Sequence, residues 1–178
     1  MNDQTATIAV LRGAPNSDVQ ALLRKLVERW RGTARLAGVV GEGHGIPDRE
    51  CGAGDLRSLA TGERFPIFTD RGSPTGCHLD GRGAIDAADA VQRDIAAGCD
   101  LIVLNKFGQL EGAGKGLSAA FTAAIAAGIP LLTSVSDERD ANWRAFAGVP
   151  YVVLPVDAAA VDAWKLRALA AVALPTHR

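Results

Sequence analysis

Short aliphatic, β-branched runs alternate with segments of helical period along nearly the whole of this 178-residue chain. Repeated strand-to-helix units of this kind pack stably as a mostly parallel sheet covered by helices on both faces, so the alternation predicts an α/β fold of three layers. The first strand spans Thr7 to Leu11. The next helix carries Val19, Leu22, Leu23, Leu26, Val27 and Trp30 on one stripe, with Ser17 or Asn16 as its cap. Leu36 to Val40 is the second strand and Cys99 to Phe107 the clearest buried one. A helix with Ile85, Ala88, Val91 and Ile95 facing inward precedes that buried strand. Further helices are predicted over Leu117 to Ala127, Asp137 to Phe146 and Ala158 to Ala173, with strands at Ile129 to Val135 and Tyr151 to Leu154.

The period changes once. Asp55 to Leu59 and Phe65 to Phe68 flank Ala60 to Arg64, which reads as a β-hairpin inserted into the framework at about 41–70, with Pro66 at an edge. Gly41 to Gly54 is an exposed excursion and Gly72 to Gly76 a loop. The length suits one domain over 1–178. A net charge of -1 from 19 basic and 20 acidic residues gives no footprint for nucleic acid, and no apolar run is long enough to insert in a membrane. With an N-terminus unlike a secretion signal, the expectation is a cytoplasmic protein with a small ligand or a protein partner. The 3 cysteines are far apart and form no zinc or disulfide pattern, so no metal site is assigned.

In a parallel sheet, ligands bind beyond the carboxyl ends of the strands, where helix N-termini aim amides at one crevice. Three loops qualify. Gly13, Ala14, Pro15, Asn16 and Ser17 follow the first strand and form the first candidate anion cradle. A phosphate loop of the form GxxxxGK followed by Ser or Thr needs its Lys for charge and its hydroxyl for Mg²⁺. Counted from Gly13, Val19 and Gln20 stand at those places. An ordinary turn with a helix cap accounts for the same residues.

The second loop opens with Asn105 and Lys106, where a working nucleotide hydrolase carries carboxylates, and continues through Glu111 to Gly114, Lys115 and Gly116. Lys106 and Lys115 can compensate an anion, though solvated lysines in a glycine-rich turn fit the pattern too. The third is Cys77, His78 and Asp80. Neighbours on an extended segment point to opposite faces, so Cys77 and His78 do not pair with each other, and a packed cysteine is the plainer reading.

Three of the segments resemble those of a bacterial family catalogued as domain of unknown function 2478, itself similar to the small nucleoside triphosphatases first described from thermophiles. They are DLRSLATGER from Asp55 to Arg64, GCHLD from Gly76 to Asp80, and NKFGQLEGAGKGL from Asn105 to Leu117. The resemblance covers nearly the whole chain and implies the P-loop NTPase fold. It also implies a link to molybdate, near whose transport genes such proteins are sometimes encoded. In the active relatives the first loop reads like GxPGxGKT and the later strand ends in Asp-Glu. Gly13, Pro15, Gly108 and Glu111 fit this pattern, whereas Val19-Gln20 and Asn105-Lys106 replace the chemical residues. The resemblance therefore implies a degenerate P-loop that binds a nucleotide or an oxyanion without efficient hydrolysis. Two alternatives stand beside it. One is a nucleoside triphosphatase with a non-standard site, in which Glu111 or Asp80 supplies the carboxylate, Lys115 the cation, and Mg²⁺ is the cofactor. The other is a regulatory or interaction module without a ligand.

Overall fold

In the computed structural model the described residues are 6–43, 54–69, 78–79 and 81–173. In chain order they form β1 (Ile8–Leu11), α1 (Asn16–Trp30), β2 (Leu36–Glu42), β3 (Asp55–Ser58), β4 (Arg64–Pro66), β5 (Phe68–Thr69), β6 (His78–Leu79), α2 (Gly81–Ala97) and β7 (Leu101–Leu104). The chain continues with α3 (Gln109–Gly112), α4 (Ser118–Ala127), β8 (Leu131–Ser134), a 3₁₀ turn (Asp137–Arg139), α5 (Asp140–Ala147), β9 (Val152–Leu154) and α6 (Ala158–Ala173).

The main sheet has the order β4-β3-β2-β7-β8-β1-β9. From β2 to β9 all pairs are parallel, while β3 and β4 add an antiparallel hairpin at one edge. The short β5 and β6 pair separately, so the second arm of the hairpin ends at Pro66 instead of continuing to Phe68. β1, β7 and β8 are buried at every residue, which explains why they read as unbroken apolar runs and not as alternating ones.

Alternate side chains of these strands feed two cores. Ile8, Val10, Ile102, Leu104 and Leu131 pack with α2, α4 and α5 on one face. Ala9, Leu11, Leu101, Val103 and Leu132 pack with α1 and α6 on the other. The fold is thus three-layered α/β, each fully buried Leu or Ile contributing about 1.5–3 kcal/mol.

Three details depart from the sequence reading. Ile85 does not face inward; it is 52% exposed, while Gly83, Ala84, Ala87, Ala88, Ala90 and Val91 are buried. The reason is close approach: a Cβ on Gly83 would lie 1.7 Å from the Pro66 carbonyl oxygen, so the helix presents its small residues to the hairpin. The loop after β7 also winds into a short helix, α3, that no periodicity announced. The excursion begins later than expected, because Gly41 and Glu42 complete β2; its residues 44–53 lie outside the described residues, as do 70–77. Among the described residues, no helix is long and apolar enough to cross a membrane.

Candidate functional site

Gly13 turns the chain out of β1 with φ 94°, and Pro15 then enters α1 in an extended conformation. The Pro15 carbonyl accepts hydrogen bonds from the Asp18 and Val19 amides at 3.0 and 3.2 Å. Pro15 is the residue that caps the helix, and no side chain bonds there, which corrects the expected Asn16 or Ser17 cap. A proline fixed near φ -65° orients the first turn without needing a side-chain acceptor. Asn16 and Ser17 consequently lie inside the first turn, exposed, and among the described residues no acceptor meets their amides. These are donors at the positive end of a 15-residue helix.

The connections place this turn at a switch in the sheet. β1 is followed by α1 on one face, whereas the neighbouring β8 is followed by α5 on the other. The two chains diverge at their carboxyl ends and leave a crevice there. A cavity of about 480 Å³ occupies it, lined by Arg12, Gly13, Ala14, Pro15, Asn16, Val19, Lys106, Ser134, Ser136 and Asp137, among others. Arg12 was not anticipated; its only sequence signal is its place directly after β1. Its guanidinium donates to the Val135 carbonyl at 3.1 Å and to Asp140 at 2.7 Å, with Asp137 at 3.4 Å. Asp140 also accepts from Tyr151 and Arg144. The Arg12 hydrogen bond above all, with that from Tyr151 and nearby positive charge, holds the Asp140 carboxyl below its usual range. Arg12 is therefore largely neutralised. Exposed Lys106 has no acidic partner among the described residues.

The loop after β7 is fixed from below. Phe107, fully buried, packs edge-on against Phe121 and Trp143 at 5.5 and 5.1 Å between ring centres. Asn105 uses its side-chain oxygen to accept from the Gly41 amide at 3.0 Å, and its carbonyl accepts from Ser134 at 3.1 Å and from Gln20 at 3.3 Å. Gln20 is only 6% exposed, and its own side-chain oxygen has no partner among the described residues. The structure thus brings together Gln20 and Asn105, two positions that the family resemblance marks separately.

Glu111 is 8% exposed and accepts from the Gly108 and Leu117 amides, both at 2.9 Å. Its carboxylate pins the two ends of the loop together across α3. Gly116 makes room for it: φ is 58°, and a Cβ there would lie 2.4 Å from a Glu111 oxygen. A second cavity, about 590 Å³, adjoins the first, sharing Asn16 and Lys106 and also touched by Asn105, Glu111 and Lys115. Ser17, Gly114 and Gly116 line neither of these cavities. Cys77 and Asp80 lie outside the described residues, and of His78 only the backbone, in β6, is described. Among the described residues, no three His, Cys, Asp or Glu side chains gather in a way that could hold a metal ion.

This architecture has known counterparts. The crystal structure of THEP1 from the hyperthermophile Aquifex aeolicus matches with a TM-score of 0.63 over 94% of this chain and 99% of that one, at 13% sequence identity. The shared fold is that of the P-loop NTPases. In sequence, 161 residues, 88% of the chain, are 35% identical to the molybdenum import ATP-binding protein ModC 2 of Bradyrhizobium diazoefficiens. The match spans only 18% of that relative's length. The family model described as "Protein of unknown function (DUF2478)" matches residues 8–164, and the chain belongs to that family.

Proposed function

We propose that this chain binds a small anion, a nucleotide or an oxyanion, between the carboxyl ends of β1 and β8 and does not hydrolyse it efficiently. The observation that carries the reading is a single cavity at which the exposed first turn of α1 meets Lys106. The amides of Gly13, Ala14 and Asn16, residues that line it, supply the donors, with the Ser17 amide proposed to add to them from the same helix end, and Lys106 supplies a full positive charge. Gly114, Lys115 and Gly116 are proposed to add to the same anion-attracting environment from the neighbouring loop.

Weak or absent hydrolysis follows from what surrounds that cradle. A Mg²⁺ ion in a nucleotide hydrolase takes a hydroxyl and a carboxylate from the positions that Gln20 and Asn105 fill here. These two amide side chains do not replace that pair, because both are uncharged and the Asn105 side-chain oxygen is already taken by the Gly41 amide. Glu111 has both oxygens on backbone amides and would have to release them to act on a water. Similarity to a protein named for molybdenum import and ATP binding makes molybdate, tungstate and adenine nucleotides the first ligands to try.

The test is a thermal-shift panel of nucleotides with and without Mg²⁺, phosphate, sulfate, molybdate and tungstate, with phosphate release followed in parallel. At a hundredfold excess over Kd, a true ligand stabilises by about 2.7 kcal/mol. At least one is expected to raise Tm in the native chain but not in Lys106→Glu, with release at background. No shift with any of them would leave an interaction module as the better reading. Hydrolysis that survives a second column and vanishes in Lys115→Ala would favour the non-standard triphosphatase.

A further inference from the structure

The cavity on the far side of Lys106 has a different chemistry from the crevice. Leu56 of β3, Ile67, Ala84 of α2, Leu110 of α3 and Leu117 bring apolar surface to it from separate elements. Lys106 and Lys115 also line it, both exposed and without an acidic partner among the described residues. Its volume of about 590 Å³ falls within the roughly 300–1,000 Å³ typical of small-molecule sites.

That combination selects its occupant. A bare inorganic anion against the apolar wall would lose hydration without regaining hydrogen bonds. A neutral hydrocarbon would leave both ammonium groups without a counter-charge. A flat ring system with one anionic substituent satisfies both parts at once, and lysine can also sit against a ring face. The wall is already in place, because Glu111 fixes the loop that carries Leu110, Lys115 and Leu117, so little ordering entropy opposes binding.

We propose that this compartment takes the ring body of a small aromatic anion, of one or two rings, whose phosphate, sulfonate or carboxylate is met by Lys106 and Lys115. The assignment shares Asn16, Lys106 and Lys115 with the proposed crevice site and otherwise stands on its own apolar walls.

The probe is 8-anilinonaphthalene-1-sulfonate, an aromatic anion of this class, titrated into the full chain by fluorescence, alongside calorimetric titrations of ADP and molybdate. One saturable dye site per chain is expected. Leu110→Glu, which puts a like charge against the dye, and Lys115→Glu, which reverses a charge, should each weaken it at least about tenfold. Circular dichroism melts verify folding. Lys115→Glu alters an exposed side chain and keeps the test intact if Leu110→Glu does not fold. Absence of a saturable site in the native chain, or undiminished affinity in folded Lys115→Glu, overturns the proposal. Dye binding without ADP or molybdate binding would count against the crevice reading alone; the reverse would count against the ring compartment alone.

Discussion

Glu111 shows how a residue of apparent chemical interest can serve architecture. Sequence marked it as a lone carboxylate in a glycine-rich loop, and no periodicity reveals that its two oxygens reach the Gly108 and Leu117 amides. Glu111→Gln keeps the size but turns an NH₂ group toward one of those donors. It is expected to cost about 1–3 kcal/mol in urea denaturation, whatever its effect on any activity. Asp140 offers a pH test. Its folded-state pKa lies below the unfolded one, chiefly through Arg12, so it adds stability above the unfolded carboxyl value that is lost as pH falls through the folded value. Asp140→Asn should therefore be less stable than the native chain at pH 7 but draw level with it in acid, well below roughly pH 4. Urea midpoints at the two pH values check this.

At the level of elements, the periodic signals held where large apolar residues decide packing and slipped where small ones do. The stripe of α1 appears nearly as read, with Val19, Leu23, Leu26, Val27 and Trp30 buried and Leu22 partly buried against the same core. In α2, Ala88 and Val91 are buried and Ile95 packs on the core as read, but Ile85 is exposed because the contact with the hairpin is built on Gly83 and alanines, which carry almost no hydropathy signal. Gly83→Ala should push α2 away from Pro66 and destabilise the chain by about 1–3 kcal/mol, measured by thermal or chemical unfolding. Ile85→Ala, on the exposed side of the same helix, is the matched control and should move stability little. The hairpin itself was legible from its turn, and its ion pairs were not. Arg57 reaches both Glu28 of α1 and Glu42 of β2, and Arg64 reaches Glu42 and Asp55, tying the inserted strands to the parallel sheet.

For the molecule as a whole, alternation of strand and helix was enough to read the layers, since parallel strands buried on both faces leave continuous apolar runs. Strand order was not, because hydropathy does not say that β8 lies between β7 and β1. That order decides where the crevice falls. It also ranks local stability: β7, β8 and β1 are interior and fully buried, whereas β4 and β9 are the edges. Amide hydrogen exchange should be slowest in the first group and fastest in the second, and protected edge amides would contradict the sheet order. A helix and a loop clamped by a divalent ion come apart when a chelator strips it away, but the Gln20 to Asn105 hydrogen bond offers a chelator nothing to remove. By that bond α1 and the loop after β7 stay joined in metal-starved and metal-replete surroundings alike.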